Sequence, residues 1–96
     1  MVTAIVLINA ERKSINELAQ KLFKLSGISE VYSVSGRYDL AAIIRVSNNE
    51  KLADLITNNM LQMKGIINTE TMLAFETYSR YDLERMFSIG FEDQES

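Results

Sequence analysis

One pattern occurs twice in this chain and limits its fold more than any other. It reads strand, Ser-x-x-Glu, amphipathic stretch, Gly-Ile, strand. The first copy opens with Val2–Asn9 (VTAIVLIN), a short β-branched run that predicts a strand. Ser14-Ile15-Asn16-Glu17 then fits the capping box that starts helices. Ile15, Leu18, Ala19, Leu22, Phe23 and Leu25 follow at helical spacing, and Gly27 sits where a helix would stop. Ile28–Ser35 predicts a second strand. The second copy runs from a strand over Tyr38–Val46 through Ser47-Asn48-Asn49-Glu50. Its stripe is Leu52, Leu55, Ile56, Met60 and Met63, its stop is Gly65, and its last strand covers Ile66–Tyr78. Few identical residues coincide, so the repeat is one of architecture.

Two such βαβ units predict an α+β fold of the ferredoxin-like type, βαββαβ, with an antiparallel four-stranded sheet and both helices on one face. The right-handed crossover rule leaves few other arrangements. The sheet's other face then poses a problem. In the first strand Val2, Ala4, Val6 and Ile8 alternate with Thr3, Ile5, Leu7 and Asn9. Ala41 and Ile43 alternate with Leu40, Ala42 and Ile44, and Met72 and Ala74 with Leu73 and Phe75. Both faces are apolar, yet helices cover only one. A bare face of that size is more than soluble monomers normally expose. A second copy packed sheet on sheet, as a dimeric α/β barrel, is the simplest cover. The alternative is a twisted sheet covered by the C-terminal segment.

The 96 residues suffice for one domain. It divides as residues 1–78 and a C-terminal extension over 79–96, where Asp82 would cap a short helix carrying Leu83, Met86 and Phe87 before an acidic tail. The tetrapeptide RYDL recurs at Arg80–Leu83 and Arg37–Leu40, and we read this as chance. With a net charge of −3 and dispersed Lys and Arg, the chain lacks the basic surface that nucleic acid requires. It has no Cys and no His, which removes disulfides, thiolate nucleophiles, the commonest general base and the commonest transition-metal ligand. No phosphate-binding glycine pattern and no metal-ligand spacing occurs, so no metal and no cofactor are expected. No stretch is long enough to span a bilayer, and none has the basic start of a secretory signal. A cytoplasmic location is the expectation.

Two short segments break the patterning. The first is Gly36-Arg37-Tyr38-Asp39, between two strands. Gly permits positive φ and leaves N–H groups open to a carboxylate, Asp39 would hold an ammonium, and Tyr38 offers a ring and a hydroxyl. Plain hairpin chemistry, with Asp39 bonding its own backbone, explains the same residues. The second is Asn68-Thr69-Glu70-Thr71, which puts two hydroxyls on one strand face between Ile67 and Leu73. A partly exposed strand end explains that pair equally well.

Together these segments resemble the effector-binding (RAM) domain of the Lrp/AsnC transcriptional regulators. The resemblance covers roughly residues 1–78. It rests on the opening strand, on GRYDLAAIIRV as the family's Gly-x-Tyr/His-Asp-Leu followed by a strand, and on KGIINTETMLAF as its Gly-Val/Ile-x-x-Thr-x-Thr strand. It implies a sheet-packed dimer assembling into a ring such as an octamer, with amino acids or related small metabolites bound between dimers. Gly36, Arg37, Tyr38 and Asp39 would take the α-amino and carboxylate groups, and Thr69 and Thr71 would complete the pocket. Arg37 stands at a position that varies in the family, where it favours an acidic ligand or lies in solvent. Family regulators carry an N-terminal helix-turn-helix, whereas the first strand here starts at Val2. The expectation is therefore a stand-alone sensing and oligomerisation domain without direct DNA binding, acting by co-assembly with a full-length relative and not as an enzyme. Small dimeric α/β-barrel monooxygenases and isomerases share this layout, and a deep apolar cavity between helices and sheet would favour them. An assembly module without a ligand is the third reading.

Overall fold

The computed structural model describes residues 1–78, so the expected extension over 79–96, with its short helix and acidic tail, lies outside the described residues. β1 spans Val2–Ala10, α1 Ile15–Phe23, β2 Ile28–Ser33, β3 Leu40–Val46, α2 Asn49–Asp54 and β4 Ile66–Leu73. The strands form one antiparallel sheet in the order β2-β3-β1-β4. This is the expected α+β, ferredoxin-like arrangement.

Alternation along β1 decides the layers. Ala4, Val6, Ile8 and Ala10 are buried against Leu18 and Leu22 of α1 and Leu52 of α2, with Leu55, Met60, Leu40, Ala42 and Ile44 closing the core. Both helices therefore lie on one face. Only Ile66 of β4 packs against that core among the described residues, so β4 projects past the helical layer.

Three local details differ from the sequence expectation. The first capping box does not form. Ser14 ends a 3-10 turn over Arg12–Ser14 with helical backbone (φ −102°, ψ −3°), and its hydroxyl makes no cap bond. An N-cap needs extended backbone to aim its oxygen at the free N–H groups. In the second copy that geometry belongs to Asn48 (φ −157°, ψ 172°), whose Oδ1 accepts from the Lys51 N–H at 2.8 Å, so the cap is Asn48 and not Ser47. The second helix also changes pitch. One π-helical stretch over Leu55–Asn59 and a 3-10 turn over Met60–Gln62 follow α2. A continuous α-helix would carry Asn59 under Leu55, four residues on. The wider turn brings Met60 there instead, and Met60 is fully buried.

The second and fourth strands end earlier than expected. β2 stops at Ser33, and β4 stops at Leu73, with one further bond from Ala74 N–H to the Thr3 carbonyl at 2.9 Å.

Candidate functional site

Strand pairing sorts the side chains of the sheet's open face into rows, because directly paired residues share a face. One row is Glu30–Ile43–Ile5–Met72 and the next is Tyr32–Ala41–Leu7–Glu70. Thr3–Arg45 and Asn9–Asn68 close the two ends. The result is an apolar centre of Ile5, Leu7, Ala41 and Ile43, which Met72 extends to the β4 edge, inside an otherwise polar rim. No other layer of the described chain covers it.

The Gly36–Asp39 turn joins β2 to β3 at the end of the sheet where β1 finishes and β4 begins. Gly36 adopts φ +107° with nothing within 4 Å of where a Cβ would stand, so glycine is there for backbone conformation, not for space. Side chains fasten the turn. Asn9 Nδ2 donates to the Arg37 carbonyl at 2.6 Å. The Ala10 N–H donates to Asp39 Oδ2 at 2.8 Å in a part-buried position. The Tyr38 hydroxyl donates to Glu70 Oε1 at 3.0 Å. The Asp39 N–H also donates to the Ile8 carbonyl, and the Val34 N–H to the Asp39 carbonyl. The N–H groups of Gly36, Arg37 and Tyr38 meet no acceptor among the described residues.

The Asp39 side chain thus bonds neither its own backbone nor a neighbour in the turn among the described residues. It satisfies a donor where the β1–β4 register shifts between Asn9 and Ala10. Thr69 and Thr71 pair with Ile8 and Val6, so both lie on the helix side of the sheet, on the part of β4 that the helices leave bare. Ile8 pairs with Leu40 on its other side, which places Thr69 two strand spacings from the end of the turn, about 10 Å. The residue sequence reasoning missed is Glu70. It reads as solvated surface, yet strand alternation puts it on the open face, opposite to its threonine neighbours, and there it takes the Tyr38 hydroxyl. Its only signal was that alternation.

The electrostatics are mild. Tyr38 is raised above the ordinary 10.0 chiefly by its hydrogen bond to the Glu70 carboxylate, with smaller contributions from desolvation and from the Glu70 charge and an opposing pull from Arg37. Tyr32 is raised by Glu30 and Tyr78 by Glu76 in the same way. A raised folded-state value means each bond contributes up to the unfolded phenol pKa and is lost as pH climbs through the folded one. Alkaline titration of the phenolate absorbance should therefore show three tyrosines ionising above 10, and Glu70→Gln should return one of them towards it.

Among the described residues, the two larger cavities are lined by other residues. One of about 760 Å³ is lined by Gly27, Arg45, Ser47, Lys51, Leu55 and Asn59 among others, at the opposite end of the sheet from the turn. Another, of about 420 Å³, runs between α1 and the edge strand β2, past Phe23 and Tyr32. Among the described residues no three acidic side chains gather closely enough to hold a metal ion, and no helix is long and apolar enough to cross a membrane.

Comparison with known proteins agrees with this architecture. The family model of the Lrp/AsnC ligand binding domain matches residues 3–83. The HTH-type transcriptional regulator FL11 of Pyrococcus furiosus is 35% identical over 81 residues, covering 80% of this chain and 50% of the regulator. The chain spans about half the length of the curated relatives it matches. Among solved structures, TTHA0845 from Thermus thermophilus is similar with a TM-score of 0.78 and 41% identity, covering 83% of this chain and 100% of that one. The hypothetical protein PHS023 from Pyrococcus horikoshii aligns with a TM-score of 0.75 and 30% identity over 84% of this chain and 98% of its own. Fold, motif placement and sequence agree: the chain belongs to the Lrp/AsnC ligand-binding domain family.

Proposed function

We propose that this domain is a cytoplasmic sensor of an amino acid or related small metabolite, which works as a homodimer through its open sheet face and adjusts transcription by assembling with a full-length relative. Residues 1–78 are the sensing unit and 79–96 an extension to it. One observation carries the ligand reading: three successive N–H groups, on Gly36, Arg37 and Tyr38, lack acceptors among the described residues in a turn otherwise tied down at Arg37, Tyr38 and Asp39. Open donors on a fixed backbone suit a carboxylate. Asp39 Oδ1, without a partner among the described residues, would receive an ammonium while Oδ2 holds Ala10. Thr69 and Thr71, on the bare helix side of β4, complete the pocket once a neighbouring dimer closes over it. The assembly proposed is a ring of dimers.

The dimer reading rests on the apolar centre and polar rim of the open face, the anatomy of a self-complementary interface. The enzyme reading would need a deep apolar cavity between helices and sheet. Val6, Ile8, Leu18, Leu22, Leu40, Ile44 and Met60 fill the centre of that layer, and the hollow between α1 and β2 lies at the sheet's edge, open to solvent.

Thermal-shift screening with the twenty amino acids tests the sensor, since a ligand bound only to the folded state raises its apparent stability. Asp39→Asn is the informative variant, because an amide oxygen still accepts from Ala10 while the charge is gone. It should weaken the ligand found by about 1.5–3 kcal/mol, roughly ten- to a hundredfold. Thr71→Val should act in the same direction and less. Equal affinities by calorimetry for wild type and Asp39→Asn would leave the segment a turn and nothing more.

A further inference from the structure

We infer that the Tyr38–Glu70 hydrogen bond ties the state of the turn to the strength of the sheet-face dimer. The inference rests on the dimer proposed above and deepens it. Glu70 ends the row Tyr32–Ala41–Leu7–Glu70, so its carboxylate stands at the edge of the apolar face. It is exposed in the single chain and needs nothing more than water there. A second copy stacked on this face removes that water. A carboxylate that loses water without gaining a donor opposes association.

The donor it has is the Tyr38 hydroxyl, from a residue 32 positions away in the turn. Among the described residues the one ion pair is Lys21–Glu17, far from this row, so no cation shares the task. The fastening of the turn makes the link selective. Arg37 and Asp39 are held to β1 through Asn9 and Ala10, while the side chain between them reaches past β1 to β4. An occupant of the turn that engages Tyr38 withdraws the hydroxyl from Glu70 and loosens the dimer. Reciprocity requires that dimerisation weaken that occupant by the same factor.

The test needs no ligand. Dimer dissociation constants are measured by sedimentation equilibrium for wild type, Tyr38→Phe, Glu70→Leu and the double variant, with circular dichroism melts as the folding control. Tyr38→Phe should weaken the dimer at least about tenfold. In the Glu70→Leu background, where no carboxylate needs a donor, the same change should have no effect. That background dependence is something a merely structural tyrosine would not show. An unaltered dimer for Tyr38→Phe, an equal loss in both backgrounds, or a wild type that stays monomeric at every concentration would overturn the inference. The amino-acid screen fails separately: a chain that binds none of the twenty and still shows the coupling loses the sensor reading and keeps this one.

Discussion

Ile43→Lys is expected to give a folded monomer. Ile43 sits mid-row on the open face, between Glu30 and Ile5, and no part of the described chain covers it. In the single chain a lysine there reaches water easily, so the melting temperature at high dilution should barely move. In the dimer the two-fold axis places the substitution twice. Each copy strands an ammonium against Ile5, Leu7 and Met72 of one protomer or the other. Interface positions at the desolvated centre cost about 2 kcal/mol or more each when disrupted. Two copies amount to about 4 kcal/mol, roughly a thousandfold in dissociation constant. Light scattering at micromolar concentration reads the change directly. Arg45→Ala, on the rim, is the control and should weaken the dimer far less. A wild-type chain that is monomeric at that concentration, or an Ile43→Lys chain that is still dimeric, would move the interface off this face.

The second large effect is on stability. Gly27→Ala should cost about 3 kcal/mol, from two sources. Gly27 stands at φ +100°, a conformation that costs an L-residue roughly 1–2 kcal/mol. A Cβ would also lie 2.9 Å from Val46 Cγ1 and 3.1 Å from Leu55 Cδ2. Val46 and Leu55 pack on or within the core, so neither yields without disturbing it, and overpacking of this kind costs about 1–3 kcal/mol. For a chain this size the melting temperature should fall by on the order of 12–24 °C. Gly36→Ala is the internal comparison. Its φ is +107° but its surroundings are empty, so only the conformational part, about 1–2 kcal/mol, applies. Equal losses at the two glycines would mean that the close approach at Gly27 is relieved by movement of the Val46 and Leu55 side chains.

Both predictions draw on features the sequence showed only in part. Gly27 was legible as a helix stop because a helix end is a local event. Its contact with Leu55 was not, because that leucine comes far later in the chain. Ile5, Leu7, Ala41 and Ile43 were legible as a second apolar face through simple alternation. Which face met the helices was not stated by alternation alone, since both sets were apolar. Burial of Ala4, Val6 and Ile8 under Leu18 and Leu22 decided it.

The elements, their order and the ferredoxin-like topology were determined by the sequence itself, because strand alternation, helical spacing and glycine stops act over a few residues. The turn at Gly36–Asp39 was legible for the same reason. Long-range pairing decided the rest. Whether Ser14, Ser47 or Asn48 caps a helix depends on the backbone angle at which each preceding segment arrives, and only Asn48 forms the cap, from extended backbone. The π-helical turn exists because Met60, not Asn59, has to fill the core beside Leu55. The partners of the turn follow from register: β1 pairs with β3, which brings the Ala10 N–H to Asp39, and β4 pairs with the other edge of β1, which brings Glu70 within reach of Tyr38. Hydrogen bonds spanning about thirty residues leave no periodic trace in a chain, so those contacts became visible only once the strands were paired.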